Sequence, residues 1–148
     1  MTQESNKEIV SRQLQLSWNE GKFEQLRDSV LPDFYYKTTF TDDILNLEQY
    51  IYFIQMFRDA MPDLSVDLEE IMSEGDRVMS YVSFSGAVTK PLLKIPASDK
   101  IIMFPAVSFW TIKQDKIANL ETMIDISGVE RQLGVNLSSE SALRNMLE

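Results

Sequence analysis

The chain has 148 residues, of which 44% are hydrophobic and 25% are charged, a balance typical of one ordinary globular domain. It contains no cysteine and no histidine, which excludes disulfides, thiolate chemistry, histidine-based catalytic triads and metal sites that need either residue. The formal net charge of −9 opposes binding to nucleic acid or to an anionic membrane, since both require a basic face.

The first third of the chain is predicted to be helical. A capping-box pattern at residues 5–8 opens a helix, and Gly21 ends it. A second helix carries Phe23, Leu26 and Val30 on one side and is broken by the proline within residues 31–33. Asn46 is suited to cap a third helix, which has a broad apolar stripe made of Leu47, Tyr50, Ile51, Ile54 and Phe57.

From residue 64 onward the hydrophobic period changes from 3.6 to 2, which predicts strands joined by tight turns. One hairpin is predicted over residues 64–89, with its turn at Gly75. The second covers residues 101–126, with its turn at 114–115, and Pro105 hints at an edge position or a bulge.

The end of the chain returns to helical patterns. A helical turn is predicted at residues 129–133, and Ser138 or Ser139 is suited to cap a short terminal helix. Helices followed by antiparallel strands indicate one α+β domain over residues 1–148. A polar N-terminus and the lack of a long apolar run predict a cytoplasmic protein with no membrane partner.

Asp125 is the leading candidate for proton transfer because it closes the last predicted strand. With a period of 2, it shares a strand face with Met123 and Glu121. If that face lines an apolar cavity, the loss of solvation makes the carboxylate a usable proton donor and acceptor near neutral pH. The alternative is an exposed carboxylate at the end of a strand. Glu121, about 13 Å away along the strand, is a candidate second acid/base, and its alternative is a solvated side chain.

A two-residue turn at 114–115 fixes the register of the last hairpin. It predicts four opposed pairs: Asp125 with Phe104, Met123 with Ala106, Glu121 with Ser108, and Asn119 with Trp110. This face mixes aromatic and polar groups, whereas the other face is more uniformly apolar. One face must line the interior, and we expect the other to form the interface of a homodimer.

Short fragments along the chain match one family in order, from about residue 7 to 134. They are residues 18–21, 61–63, 74–78, 85–86, 95–96 and 116–117, then Asp125, Gly128 and residues 132–134. On these fragments the chain resembles the SnoaL-like polyketide cyclase family, within the group of proteins related to nuclear transport factors and ketosteroid isomerases.

The resemblance implies a cone-shaped α+β barrel, in which N-terminal helices close a deep apolar pocket inside a curved, mainly antiparallel sheet. It also implies that Asp125 is the acid/base of an intramolecular ring closure that needs no metal or organic cofactor. Val88 and Lys37 stand where the family often has histidine, and Tyr81 and Glu121 stand where it often has arginine and tryptophan.

The candidate ligand contacts share an aromatic or small polar character. They are Trp18, Tyr35, Tyr36, Tyr50, Phe53, Phe57, Phe104, Ser108, Trp110 and Met123. Aromatic residues at helical spacing more often form core than ligand contacts. Tyr35 and Tyr36 are favoured because a phenol can donate a hydrogen bond to a carbonyl or enolate oxygen.

Three functions stay open at this point. The first is a cyclase or isomerase acting on a hydrophobic, oxygenated small molecule through Asp125. The second is a hydrolase or epoxide-opening enzyme of the same fold, in which two carboxylates activate water. The third is a binding protein without catalysis. Incorporation of solvent oxygen separates the first two, and the third predicts binding without turnover.

Overall fold

The computed structural model describes residues 3–93 and 95–135, so the helix predicted after Ser138 or Ser139 lies outside the described residues. The helices are α1 (Gln3–Gln13), continued by a π-helical segment (Leu14–Asn19), α2 (Glu24–Asp28), α3 (Leu47–Ala60) and α4 (Ile126–Leu133). The strands are β1 (Val30–Thr38), β2 (Thr41–Leu45), β3 (Ser65–Glu74), β4 (Arg77–Ala87), β5 (Ile101–Lys113) and β6 (Lys116–Ile124).

The six strands form one sheet in the order β2-β1-β6-β5-β4-β3. Only the β1–β6 pairing is parallel, and the other four pairings are antiparallel. The predicted α+β class with a mainly antiparallel sheet is therefore confirmed. Strands β2 and β3 are the edges, so the described sheet stays open. The helices α1 and α3 and the π-helical segment pack against it.

The first helix ends at a glycine that makes room for an arginine. The Arg58 guanidinium donates hydrogen bonds to the carbonyl oxygens of Trp18 (2.7 Å) and Asn19 (2.9 Å). Gly21 has φ +67°, and a Cβ there would lie 2.7 Å from Nε of Arg58. The predicted stop at Gly21 is thus confirmed. The predicted N-cap at Ser5 is wrong, because α1 begins at Gln3, where Gln and Glu are good helix formers.

The hairpin of β1 and β2 was not predicted from the sequence. The predicted second helix stops at Asp28, and Val30 begins β1 instead of closing a helical face. Phe34, Tyr36 and Thr38 alternate along β1 with exposed neighbours and are buried, which is the strand period. Parallel pairing with β6 stabilises this segment as a strand, a tertiary effect that local spacing does not reveal.

The third helix follows its prediction closely. Asn46 caps α3 through a reciprocal pair of hydrogen bonds with Gln49, each 2.9 Å long. One face of α3 is buried against the sheet, and its residues are Tyr50, Ile51, Phe53, Ile54, Phe57 and Ala60. This face supplies most of the helical wall of the interior.

Both predicted hairpin turns are confirmed by their backbone angles. Gly75 has φ +59°, and Gln114 and Asp115 have φ +54° and +63°. Pro105 pairs with Ser83 in β4 without a bulge, so the suggested bulge at Pro105 is wrong. The suggested edge position is confirmed locally, because the β5–β6 pairing extends only as far as Ala106 and leaves Pro105 with no β6 residue opposite it.

Candidate functional site

A small enclosed cavity lies between the helices and the sheet. Its volume is about 10 Å³, close to the space of one water molecule. Its lining is mostly aromatic and aliphatic: Leu14, Trp18, Tyr36, Tyr50, Phe53, Phe57, Val82, Phe84, Phe104, Ser108, Trp110, Leu120, Thr122 and Ile124. The interior is therefore packed by side chains and does not form a deep open chamber.

Hydroxyl groups supply the polar chemistry of this cavity. The hydroxyls of Ser108 and Thr122 lie 2.7 Å apart, and both residues are buried. The hydroxyl of Tyr36 is hydrogen-bonded to those of Thr38 and Thr122. A chain of hydroxyl groups thus runs through Ser108, Thr122, Tyr36 and Thr38, and none of the described residues that line the cavity carries a carboxylate.

Two further hydrogen bonds satisfy the indoles that line the cavity. Trp110 donates from Nε1 to the hydroxyl of Ser80 at 2.9 Å. Trp18 donates from Nε1 to the hydroxyl of Tyr50 at 3.3 Å. Each buried indole N–H therefore has a partner, which avoids the cost of leaving it unpaired.

The two tyrosines of the cavity are held in their neutral form. Burial raises the pKa of Tyr36 to about 12, an effect opposed by its hydrogen bonds from Thr38 and Thr122. Burial also raises the pKa of Tyr50, as does the neighbouring Tyr36, while the hydrogen bond with Trp18 acts in the opposite direction. Both phenols are thus available as hydrogen-bond donors across the whole physiological pH range.

The predicted register of the last hairpin is wrong by one residue. Ile112 pairs with Ile117, but Thr111 pairs with Asn119, so Ala118 is an extra residue in β6. Beyond this bulge Ser108 lies opposite Thr122, not Glu121. A slip of one residue exchanges the two faces of a strand. The β6 side chains that were predicted to point into the interior therefore point outward.

The bulge relocates two predicted site residues. Glu121 and Met123 are exposed on the outer face, opposite Phe109 and Val107. Glu121 lines a polar recess of about 320 Å³, together with Lys37, Thr38, Thr39, Thr41, Asp42, Asp43, Ile44, Thr122 and Met123. Glu121 therefore points away from the aromatic cavity, and Thr122 lines both spaces.

Asp125 does not line the cavity, but it is adjacent in sequence to a residue that does. It follows Ile124, a lining residue, and caps α4 with Oδ1 accepting from the backbone N–H of Gly128 at 2.9 Å. Its Oδ2 lies 3.7 Å from a guanidinium nitrogen of Arg131, and 46% of its side chain is exposed. A Cβ on Gly128 would lie 2.5 Å from Oδ2, so the glycine leaves room for this orientation. The predicted opposition to Phe104 is wrong, because Asp125 lies beyond the end of β6 and Phe104 pairs only with β4.

Most of the predicted aromatic contacts do converge. Eight candidates line the cavity: Trp18, Tyr36, Tyr50, Phe53, Phe57, Phe104, Ser108 and Trp110. Tyr35 lies on the outer face of β1 and is 38% exposed. Thr122 and Phe84 are cavity residues that the sequence analysis missed. The strand alternation in β4 was a usable signal for Phe84, whereas Thr122 required knowledge of the bulge.

A larger apolar groove adjoins the cavity. It has a volume of about 400 Å³ and is lined by Phe40, Thr41, Leu45, Glu48, Gln49, Tyr52, Phe53, Met56 and Leu93. Phe53 lines both the groove and the cavity. Phe40, in the β1–β2 turn, packs with ring centroids 6.2 Å from Phe53 and 5.5 Å from Phe57. Phe40 therefore contacts the helical wall that the two spaces share.

Residues 3–93 and 95–135 show no metal centre and no membrane-spanning helix. Within those ranges, no group of three or more acidic side chains converges in a way that suits a metal ion. None of the helices found there has the length and apolar character needed to cross a membrane.

Comparison with known proteins gives one family and one fold. The family model described as "SnoaL-like polyketide cyclase" matches residues 8–133. No curated protein matches the chain significantly.

Several solved structures share the fold. A putative SnoaL-like polyketide cyclase from Jannaschia sp. CCS1 has a TM-score of 0.81 at 23% identity, covering 90% of this chain and 94% of that one. TsrD from Streptomyces laurentii has a TM-score of 0.79 at 25% identity, covering 92% and 99%. A Catenulispora acidiphila protein described as having a ketosteroid isomerase-like fold has a TM-score of 0.72 at 15% identity, covering 87% and 94%.

Proposed function

The chain belongs to the SnoaL-like polyketide cyclase family, and from that premise we propose that it closes or isomerises a ring in a hydrophobic, oxygenated small molecule. The aromatic lining of the cavity and the adjoining apolar groove support a substrate of this kind. The observation that carries the catalytic part is the position of Asp125, one residue beyond the cavity-lining Ile124.

The Asp125 carboxylate is accessible to solvent near the β1–β2 turn. Its side chain is 46% exposed, and the β1–β2 turn is tied to the same place, since Thr39 Oγ1 accepts from the backbone N–H of Ile124 at 3.1 Å. A substrate seated at this turn presents its reacting carbon to the carboxylate. Glu121 faces the separate polar recess, so the proposal rests on Asp125 as the only acid/base.

The proton inventory of the proposed reaction balances without a co-reactant. Asp125 takes a proton from a carbon next to a carbonyl, and the resulting enolate attacks a second carbonyl of the same molecule. The new carbon–carbon bond turns that carbonyl into an alkoxide, which takes the proton back from Asp125. The product is an isomer of the substrate. The substrate must be held folded during these steps, which is the contribution of the apolar walls.

Tyr36 is the proposed donor to the developing oxygen charge. Its pKa is raised to about 12 by burial, so it stays protonated while it donates. Its hydroxyl is connected to Thr38 and Thr122, which orient it. A substrate oxygen that enters the cavity therefore meets a neutral donor and no competing negative charge.

The experiment that tests this function is product analysis by mass spectrometry. The protein is incubated with a panel of aromatic poly-β-keto methyl esters in water enriched in ¹⁸O. We expect a product with the mass of the substrate, or that mass less one water, and with no ¹⁸O beyond exchange seen without protein. Incorporated solvent oxygen indicates the hydrolase alternative and contradicts ring closure.

One observation favours a second candidate, a binding protein without catalysis. The part of the cavity lining that the structure describes holds no carboxylate, and the Asp125 carboxylate already serves as the cap of α4. Under this alternative the panel compounds bind and are recovered unchanged. Turnover of any panel member contradicts it.

We also propose that the outer face of the sheet forms a homodimer interface. Exposed apolar residues cluster there across β3, β5 and β6: Met72, Ile101, Met103, Phe109 and Met123. A contiguous apolar face of this kind usually marks association, and two copies satisfy it with one symmetric contact.

A further inference from the structure

The outer groove has the properties of a ligand site. Its volume of about 400 Å³ falls in the range of small-molecule pockets, and its walls are chiefly apolar. The floor is the exposed side of α3, with Tyr52 and Met56, and one lip is Leu93 in the β4–β5 loop. Leu93 has φ +55°, a costly conformation for a leucine, and its side chain is 45% exposed at the groove.

The Phe40 ring fills the place where the groove approaches the cavity. It is half-buried and packs on Phe53 and Phe57, which line the cavity. Trp18 lies behind this pair, with its ring centroid 6.4 Å from Phe53 and 5.7 Å from Phe57. Removing the Phe40 ring therefore uncovers the outer side of the Phe53–Phe57 pair, whose inner side packs on Trp18.

The segment that carries Phe40 is held by few contacts. Strand β2 is an edge strand, and only two residue pairs with a bulge between them join it to β1. The turn itself is held by the hydrogen bond from Ile124 to Thr39 and by a 3.4 Å contact from the Phe40 N–H to Thr38 Oγ1. Such a segment opens at a lower cost than the central strands do.

We propose that Phe40 is a displaceable partition that decides which ligands reach the Phe53–Phe57 wall of the cavity. A neutral, flat, apolar molecule of roughly two or three fused rings lies in the groove. Its innermost ring displaces the Phe40 ring and packs on Phe53 and Phe57 in its place. The chain's net charge of −9 disfavours an anion there. This inference deepens the proposed function and rests on its small-molecule ligand.

The test uses the neutral two-ring ketone Prodan, a fluorophore whose emission shifts to the blue in apolar sites. We expect wild type to bind it, and Phe40→Ala to bind it about tenfold more tightly, because the contacts of one aromatic ring no longer have to be broken. The two tryptophans of the chain, both buried in the cavity lining, give an independent readout. Their quenching by acrylamide is expected to rise about twofold in Phe40→Ala without any ligand.

Two variants serve as controls. Tyr52→Ala changes the same groove at a position that does not line the cavity, so it should weaken Prodan binding and leave acrylamide quenching as in wild type. Phe40→Leu keeps an apolar side chain of smaller size and should give intermediate values. It also preserves the test if Phe40→Ala folds poorly.

The proposal is overturned if Phe40→Ala and Phe40→Leu leave both Prodan affinity and tryptophan quenching unchanged, or if Prodan binds to none of the proteins. It also fails if Tyr52→Ala turns a dimer into a monomer, since the groove is then occupied by a second copy. Catalysis is measured separately. If Phe40→Ala binds Prodan more tightly but wild type turns over no substrate, only the proposed function is contradicted. If wild type turns over a substrate but the Phe40 variants bind Prodan as wild type does, only the partition is contradicted.

Discussion

The hydroxyl oxygens of Ser108 and Thr122 lie 2.7 Å apart across β5 and β6, inside the aromatic cavity. They meet there because Ala118 adds one residue to β6 and shifts every later pair of the hairpin. If Ala118 were paired instead of bulged out, Glu121 would take the place of Thr122, and a carboxylate would replace a hydroxyl in the core. The bulge thus determines which side chains of β6 point into the cavity.

Deleting Ala118 tests this directly. The deletion removes the extra residue but keeps the later pairs, because Asn119 then follows Ile117 directly and still lies opposite Thr111. Thr122 stays inward and Glu121 stays outward, so we expect the deletion variant to keep a cooperative unfolding transition. Circular dichroism during thermal unfolding checks this. Ala118→Ser, which keeps the residue count and the bulge, should unfold within a few degrees of wild type, and loss of the transition in the deletion variant contradicts Ala118 as the extra residue.

The hydroxyl pair should also show energetic coupling. Thr122→Val leaves the buried Ser108 hydroxyl without its partner and removes one of the two hydrogen bonds to Tyr36, at a cost of about 1–3 kcal/mol. Ser108→Ala removes the other member of the pair. We expect the double variant to cost about 1 kcal/mol less than the sum of the single variants. Denaturant unfolding measures all four proteins, and strict additivity contradicts a direct bond.

Stability should fall in alkaline solution because of the two cavity tyrosines. Burial raises the pKa of Tyr36 to about 12 and raises the pKa of Tyr50, relative to 10.0 for both when exposed. Above pH 10 the unfolded chain loses these protons before the folded chain does, so the folded state is destabilised as the pH rises. The stabilising contribution is complete below pH 10 and declines towards pH 12.

Each of these tyrosines contributes a slope of up to about 1.4 kcal/mol per pH unit in that window. Denaturant unfolding between pH 8 and 11.5 measures the slope. Tyr36→Phe should reduce it, whereas Tyr35→Phe, on the exposed face of the same strand, should not. A slope that is equal in all three proteins contradicts the assignment.

Charging the outer sheet face should dissociate the proposed dimer. Met103 is 60% exposed on β5, and Met103→Glu brings two new charges together in a symmetric contact. Light scattering should give twice the 17.1 kDa chain mass for wild type and the single mass for the variant. Tyr52→Glu, at an equally exposed position on α3, should leave the mass of the wild type. A monomeric wild type at all accessible concentrations contradicts the dimer.

Local signals were sufficient for much of the fold. Asn46 caps α3 because its side chain and that of Gln49 satisfy each other's backbone groups, which is visible in the residue types and their spacing. Gly75 forms a turn as its backbone freedom indicates, and the pair Gln114–Asp115 forms a turn because it separates two alternating apolar stretches. These features depend on neighbours within a few residues, so the sequence alone is informative about them.

The features that the sequence did not predict correctly depend on residues far away along the chain. Val30 ends a plausible helical stripe, and only pairing with Ile117 in β6 makes it the start of a strand. Alanine is not a residue type that marks a bulge, so the sequence around Ala118 does not reveal the extra residue. Whether Glu121 or Thr122 faces the interior could therefore not be predicted from nearby residues. The aromatic cavity residues were largely identified, because large apolar side chains are buried wherever the register places them.

Asp125 has two roles that single substitutions can separate. Asn caps a helix as well as Asp does, and the exposed contact with Arg131 contributes little, so Asp125→Asn should unfold close to wild type. Asp125→Ala removes the cap and should cost about 1 kcal/mol. Gly128→Ala should displace the carboxylate, because the new Cβ occupies the space of Oδ2.

The most direct test is the turnover of wild type and Asp125→Asn on whichever poly-β-keto ester of the panel wild type cyclises, with Prodan affinity measured in parallel. We expect Asp125→Asn to lose at least about a hundredfold in kcat, the usual contribution of a general acid/base, while its Prodan affinity and unfolding midpoint stay near those of wild type. Wild-type turnover in Asp125→Asn, or no cyclisation of any panel member by wild type, would contradict a ring-closing enzyme that works through this carboxylate.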